Sequence, residues 1–508
     1  MADDKFASLI GSERPEPANI VIFGATGDLT KRKLLPALAH MHRWNLLGPH
    51  SRIIGVAREK WGNSHWTNYV HDQLLHYFPE AVLNPPSWRR IAEKLELVTG
   101  DLSDPALYQK LTDVLHESEG KKNALFYLAI PPSWYEVVCK NLHDAGLAVE
   151  SEGFRRIVVE KPFGMDYVSA HDLNTKLQSY FEESQIYRID HYLGKEAVQN
   201  LMVFRFANSV LEPLWNRNFI DHVQISVSES LGIGYRAGYY ENSGAFRDMI
   251  QSHLMQVMTL VAMEPPVSLD ADDVRNEKMK VLRSMRTIKP EDVKNIAVRA
   301  QYAAGMIHGE EVPAYRDEQD VAGDSVTETF AAVKFYVDNW RWQDVPFVLR
   351  TGKRLPDRVS EICIRFKQPP QKLFHLNEEH VRSNELIFRL QPDEGMRLSM
   401  TAKQPGLSTH LRGVSLDATY GVAGSGMPEA YETLLHDVML GEAGLFSRAD
   451  EVEESWKIVA PILEAWAQEK DVATYPAGTL AIPGMDELLR GCCGNWRDLN
   501  LTDSSIPA

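Results

Sequence analysis

The chain of 508 residues is predicted to begin as an α/β domain on a parallel sheet and to continue as an α+β domain on a large, mainly antiparallel one. Three observations predict this. A continuous apolar run, Asn19-Ile-Val-Ile-Phe23, ends in Gly24, as a strand buried on both faces does. Short apolar runs then alternate with helical stretches over roughly the first 190 residues. From Phe219 onward the hydrophobic period falls to two, the mark of strands with one buried face. The division is placed at residues 1–200 and 201–508, and with no repeat or Gly/Ser linker the two parts are expected to pack together.

In order, the Asn19 strand is followed by a helix from Leu29 to Trp44 and a second strand, Arg52-Ile-Ile-Gly-Val-Ala57. An amphipathic helix runs from Ser64 to Phe78, and Leu95–Thr99, Ala124–Ile130 and Arg156–Glu160 read as further strands. Helical stretches near Pro105–His116 and Ser133–Ala145 lie between them. In the second part, Ile220–Ser228, Thr329–Tyr336, Glu361–Phe366, Glu385–Leu390 and Arg397–Ala402 alternate as strands, with helices at Ser243–Met263 and Tyr431–Leu440.

A net charge of −16 opposes nucleic acid or an anionic membrane as the main partner, although a locally basic pocket for a phosphorylated substrate remains compatible with it. No run approaches the ~18 apolar residues of a membrane span, and the acidic start Met1-Ala-Asp-Asp-Lys5 lacks a signal-peptide core, so a cytoplasmic protein is expected. Cys139, Cys363, Cys492 and Cys493 are too few for a disulfide framework, and no His or Cys stands at ligand spacing from the adjacent pair, so no metal site is expected.

Gly24-Ala-Thr26-Gly27-Asp28-Leu29-Thr-Lys31 lies between the first strand and the first helix, where a dinucleotide fold sets its pyrophosphate on backbone N–H groups. It departs from G-x-G-x-x-G, since Thr30 stands where a third glycine might, and a turn with two glycines also suits an ordinary loop. The second strand ends in Arg58 rather than Asp or Glu, which favours a 2′-phosphate, with Lys31, Arg32 and Lys33 adding charge; a solvated arginine fits the same pattern. Glu160-Lys161-Pro162 follows a strand, with an X-Pro bond open to the cis form and a lysine able to point into a cleft; a plain turn is the alternative.

Arg188-Ile-Asp190-His191-Tyr192-Leu-Gly-Lys195-Glu196 gathers cations, a phenol and a carboxylate. If it is helical after Asp190, His191 and Lys195 share one face, as a phosphate requires, and Asp190 caps the helix or orients a distant base. The same residues also describe a capped, solvated helix start. His253 lies among apolar neighbours on a helix, the usual setting of a core histidine. Asp248 is five residues earlier, about 140° around an α-helix, so the two are not expected to pair locally.

Together with Glu212–Arg217 and Leu349–Lys353, these segments resemble the glucose-6-phosphate dehydrogenase family, over nearly the whole chain and most specifically at Arg188–Glu196. The resemblance implies a Rossmann-like domain joined to an α+β domain, and oxidation of glucose 6-phosphate at C1 to a lactone. NADP is the implied cofactor, with NAD as a weaker or second one. By position it implies His253 as general base and Asp190 as its orienting carboxylate. It places His191, Tyr192 and Lys195 on the phosphate, and Lys161, Glu229, Asp248, Lys353, Arg358 and Gln391 on the substrate. Gly24, Thr26, Gly27, Asp28, Leu29, Arg58 and Lys161 fall to the cofactor, and a homodimer or homotetramer is implied.

Overall fold

β1 (Asn19–Phe23) is buried at all five positions and leads a parallel ladder with β2 (Arg52–Ala57), β3 (Leu95–Thr99), β4 (Ala124–Leu128), β5 (Arg155–Val159) and β6 (Ile186–Ile189). This is a computed structural model, and it describes residues 13–117, 122–371, 383–407, 410–420, 428–492 and 494–499. The sheet order β3-β2-β1-β4-β5-β6 is that of a doubly wound dinucleotide fold, whose order reverses between β1 and β4. The strand Phe446–Ser447 adds to β6 in the antiparallel sense. Residues up to 194, 267–275 and 428–452 form this first unit; the remainder forms the second.

The elements follow from their residues. Pro105 opens a helix to His116, where its missing N–H costs nothing, and Asp104 caps it by accepting from Ala106 N at 2.9 Å. Ile20, Ile22, Leu38, Met41, Trp66, Leu125 and Val158 bury against Leu434, Val438 and Phe446 from the returning segment. Gly55 lets Trp66 pack on β2, since a Cβ there would lie 2.8 Å from the indole.

The second unit carries β7 (Ile220–Ser228), β8 (Ala297–Ala303), the hairpin β9 (Gly305–Ile307) and β10 (Glu310–Val312), β11 (Phe330–Tyr336), β12 (Pro346–Gly352), β13 (Val359–Phe366), β14 (Glu385–Gln391), β15 (Gly395–Lys403) and β16 (Leu411–Thr419). With Phe446–Ser447 counted as β17, the last strand is β18 (Ala473–Pro476). Nine of them form one sheet in the order β16-β15-β14-β13-β7-β12-β11-β8-β18, antiparallel except for β7 with β12 and β8 with β18.

β12 has no period-two signal because every one of its residues is buried, and β6 is masked by Arg188 in its four-residue run. The predicted Ser243–Met263 helix is not one regular helix. Gly244 breaks it at φ 62°, a π-helix follows over Phe246–Leu254, and an α-helix completes it over Met255–Ala262.

Candidate active site

In the first unit the turn after β1 is shaped by glycine. Gly24 has φ +83°, and a Cβ there would stand 2.3 Å from the Ala129 carbonyl oxygen. The N–H groups of Gly24 and Ala25 bond Val56 O, Gly27 N bonds Gly24 O, and the Thr30 hydroxyl donates to Gly24 O at 2.9 Å. The backbone N–H groups of Thr26, Asp28 and Leu29 have no hydrogen-bond acceptor among the described residues. Orphan donors at a helix start, in a turn at the carboxyl end of β1, fit a dinucleotide pyrophosphate. The glycines thus supply shape, and their neighbours supply the donors.

Arg58 is exposed at the end of β2 and makes no hydrogen bond among the described residues. Its charge helps hold the Asp101 carboxyl below its usual range, after the hydrogen bonds from Ser103. The other cations expected there are already paired: Lys31 and Arg32 with Asp28 at 3.2 and 2.9 Å, and Lys33 with Glu429 at 3.1 Å. Glu59 accepts from the Thr26 hydroxyl at 3.3 Å.

Lys161 follows β5 and is joined to Pro162 by a cis peptide bond. Its neighbour Glu160 sits among three tyrosines that sequence reasoning did not single out. The carboxylate accepts from Tyr127 Oη at 2.5 Å and Tyr431 Oη at 3.3 Å, while Tyr135 Oη accepts from Glu160 N and donates to Glu160 O. Burial pushes the Glu160 pKa up, and the two hydroxyls on its carboxylate partly reverse that.

The Arg188–Glu196 run is not helical after Asp190. His191–Gly194 form a turn, and Lys195 is the N-cap residue of a helix over Glu196–Phe206, so the shared helical face expected of His191 and Lys195 does not exist. The cause is local: Asp190 Oδ1 accepts from Tyr192 N at 2.9 Å and its carbonyl from Leu193 N at 3.0 Å, closing an Asx turn rather than capping a helix. Arg188 is a strut, fully buried, with both terminal nitrogens on Glu183 and Nε on Asn174. It fixes the end of β6 from which Asp190 (2 % exposed) and Tyr192 (6 % exposed) emerge.

In the second unit, topology collects residues that lie far apart in sequence. β7 and β12 end, β11 and β13 begin, and β14 ends on one rim of the sheet. That rim carries Glu229 after β7, Lys353 after β12, Arg358 before β13 and Gln391 at the end of β14. Lys353 Nζ donates to Glu229 Oε2 at 2.6 Å and lies 5.3 Å from the centre of the Tyr240 ring. The adjacent Tyr239 donates its hydroxyl to Asp248 Oδ1 at 3.2 Å. Arg358 is exposed, and Gln391 Oε1 accepts from Ser360 Oγ at 3.4 Å, one strand away from the Glu229–Lys353 pair.

The π-helix bearing Asp248 and His253 packs across β11 and β12. His253 is buried, at 2 % exposure. Because π-winding bonds residue i to i+5, Asp248 and His253 lie one turn apart on the same side, where an α-helix would have separated them. Lys195, also in this unit, lies near enough to Glu394 to offset part of the rise that burial gives that carboxyl.

Outside this region Asp221, His222 and Cys492 bring potential ligand atoms within 4.8 Å of one another, a proximity the sequence spacing did not suggest. Their hydrogen bonds do not leave His222 open to a metal. Gln224 is held by Arg497 N on its oxygen and Asn495 O on its nitrogen, so His222 Nε2 must accept from the Gln224 amide while Nδ1 donates to Asp221 at 2.6 Å. The tail beyond Gly491 is thereby tied to β7; Cys493 lies outside the described residues.

Comparison with known proteins agrees with this geometry. Residues 21–200 match the family profile "Glucose-6-phosphate dehydrogenase, NAD binding domain", and residues 202–497 match "Glucose-6-phosphate dehydrogenase, C-terminal domain". Glucose-6-phosphate 1-dehydrogenase of Aggregatibacter actinomycetemcomitans is 44% identical over 489 residues, 95% of this chain and 98% of that one. That of Mycolicibacterium smegmatis is 46% identical over 470 residues, 91% and 94% of the two chains. A solved glucose-6-phosphate dehydrogenase in complex with glucose-6-phosphate aligns with TM-score 0.87 and 36% identity over 96% of this chain and all of that one. The enzyme from Mycobacterium avium aligns with TM-score 0.81 and 34% identity over 95% and 99%. The chain belongs to the glucose-6-phosphate dehydrogenase family.

Proposed function

We propose that this glucose-6-phosphate dehydrogenase is NADP-dependent and oxidises C1 of glucose 6-phosphate with His253 as the base. The observation that carries the reading is a buried imidazole on a π-helix in the same unit as the Glu229–Lys353 pair, with Tyr239 and Tyr240 linking Asp248 to Lys353. Oxidising an alcohol removes a proton and a hydride. The dinucleotide, when bound, supplies the hydride acceptor. The neutral imidazole of His253 takes the hydroxyl proton, and Asp190 keeps the orienting role that the resemblance implies. Lys161, Glu229, Asp248 and Lys353 hold the sugar hydroxyls, with Arg358 and Gln391 as outer contacts. His191, Tyr192 and Lys195 bind the phosphate.

The test is absorbance at 340 nm with glucose 6-phosphate and either NADP or NAD, with free glucose as control. Fast reduction that requires the phosphate is expected; a folded protein that reduces neither dinucleotide would overturn the reading. Equal rates with free glucose would remove His191, Tyr192 and Lys195 from the phosphate.

Preference for NADP rests on Arg58, because the nearby lysines and Arg32 are paired and Glu59 is engaged by Thr26. A charge-assisted hydrogen bond contributes about 1.5–3 kcal/mol. Arg58→Ala is therefore expected to lower kcat/KM for NADP by roughly 10- to 100-fold and leave that for NAD unchanged. Equal losses with both would remove Arg58 from the 2′-phosphate.

Assembly as a homodimer or homotetramer is read at β15 and β16, where Met400 and Leu416 stay 36 % and 61 % exposed. Sedimentation velocity checks it, and a monomer at micromolar concentration would exclude it. No helix of the described residues is long and apolar enough to cross a membrane.

A further inference from the structure

Glu328 and Thr329 directly precede β11, are 6 % and 0 % exposed, and look in sequence like any polar pair before a strand. Each is bonded to a different part of the sugar end. Glu328 Oε1 accepts from Phe246 N at 3.0 Å, and Glu328 O accepts from Ala245 N at 2.9 Å. These are the N–H groups of the N-cap residue and of the first residue of the π-helix bearing Asp248 and His253, donors that a helix start leaves unpaired. Gly244 accommodates the contact: it turns the chain at φ +62°, and a Cβ there would lie 2.2 Å from Glu328 Oε1.

Thr329 holds the other side. Its carbonyl accepts from Lys353 N at 2.9 Å, and its hydroxyl accepts from Tyr302 N at 2.9 Å and meets Tyr475 Oη at 3.2 Å. Tyr475 in turn donates to Lys353 O at 2.5 Å. Lys353 is thus gripped at both its N–H and its C=O, one residue beyond the Gly352 carbonyl that accepts from Glu229 N.

We propose that Glu328 and Thr329 are positioning residues, one dipeptide that sets the helix carrying His253 in register with the Glu229–Lys353 pair. This rests on the reading of His253 as base. Burial pushes the Glu328 carboxyl up, and the Phe246 N–H at the positive end of the helix partly reverses that. Both residues act through the backbone and side chains they hold, so the effect is on geometry, where a misplacement of about 1 Å costs on the order of 10²-fold in rate.

The experiment compares Glu328→Ala, Glu328→Gln, Glu328→Asp and Thr329→Val with His253→Asn in steady-state kinetics, pH profiles and thermal unfolding. Glu328→Ala is expected to lower kcat about 10²-fold while the KM for NADP and the acid limb of the pH profile stay in place. Glu328→Gln, whose amide oxygen still accepts from Phe246 N, should recover to within about threefold of the unmodified enzyme. If Glu328→Ala does not fold, Glu328→Asp decides, because its carboxylate is withdrawn by one methylene and should lower kcat in a folded protein. Thr329→Val should raise the KM for glucose 6-phosphate about tenfold.

A folded Glu328→Ala or Glu328→Asp with undiminished kcat overturns the proposal, as does Glu328→Gln as impaired as Glu328→Ala. An unchanged KM in Thr329→Val removes Thr329 from it. If His253→Asn keeps its turnover, the base assignment fails whatever Glu328 does. If His253→Asn is inactive and Glu328→Ala fully active, only the positioning role fails.

Discussion

Replacing His253 with Asn is expected to lower kcat by roughly 10²–10⁴-fold and leave the fold intact. The side chain is buried on a π-helix between apolar neighbours, and Asn keeps a polar group of smaller volume there, so thermal stability should fall modestly. A base must be neutral to accept a proton. In the unmodified enzyme kcat/KM should therefore drop on the acid side, where the base is protonated, and in His253→Asn that acid limb should vanish, leaving a low, flat profile. The KM for NADP should barely move, because the turn proposed to hold the dinucleotide follows β1 in the first unit. A variant with turnover within tenfold of the parent, or with the acid limb still present, would transfer the role of base to another group.

How much of this was legible in sequence depended on whether the signal was local. The parallel sheet could be read because β1 and β4 are unbroken apolar runs buried on both faces. The glycine turn after β1 could be read because its glycines and its helix start are contiguous. Helical winding departs from α-helical expectation at Thr30–Leu34 and Phe246–Leu254, which wind as π-helix, and at Arg188–Glu196, where the helix considered after Asp190 does not form. At Arg188–Glu196 the Asp190 side chain competes for the backbone and closes a turn instead. At Phe246–Leu254 the i→i+5 bonds remove the α-helical geometry from which Asp248 and His253 were placed about 140° apart.

What resemblance supplied and local pattern could not was the rim. Glu229, Lys353, Arg358 and Gln391 meet at one end of the sheet only because β7 pairs parallel with β12 and antiparallel with β13, and β13 with β14. Glu328 was invisible altogether, since nothing in a single carboxylate before a strand distinguishes a buried helix cap from a solvated side chain. Tyr127, Tyr135 and Tyr431 were likewise unmarked, because the group they surround is assembled from three separate segments.

The second large effect is expected at Gly24. At φ +83° an alanine is strained by about 1–2 kcal/mol, and its Cβ would meet the Ala129 carbonyl oxygen at 2.3 Å and the carbonyl carbon at 3.0 Å. Those atoms are backbone at the end of β4 and cannot rotate away as a side chain would, so the turn itself must move, by most of an ångström. It carries with it the unpaired N–H groups of Thr26, Asp28 and Leu29, which fit a dinucleotide pyrophosphate. A shift of that size corresponds to a loss on the order of 10²-fold in kcat/KM for NADP, together with a thermal midpoint a few degrees lower. The KM for glucose 6-phosphate should change less than that for NADP, since Glu229, Asp248 and Lys353, proposed to hold the sugar, lie in the second unit. Gly27→Ala is the internal comparison. Its Cβ would meet Gly24 O at 3.1 Å, a contact the turn can relieve by a few tenths of an ångström, so a loss of about tenfold is expected. If both variants bind NADP as the parent does, the orphan donors are not the pyrophosphate site. If Gly27→Ala is the more damaged of the two, the β4 backbone is not what fixes the turn.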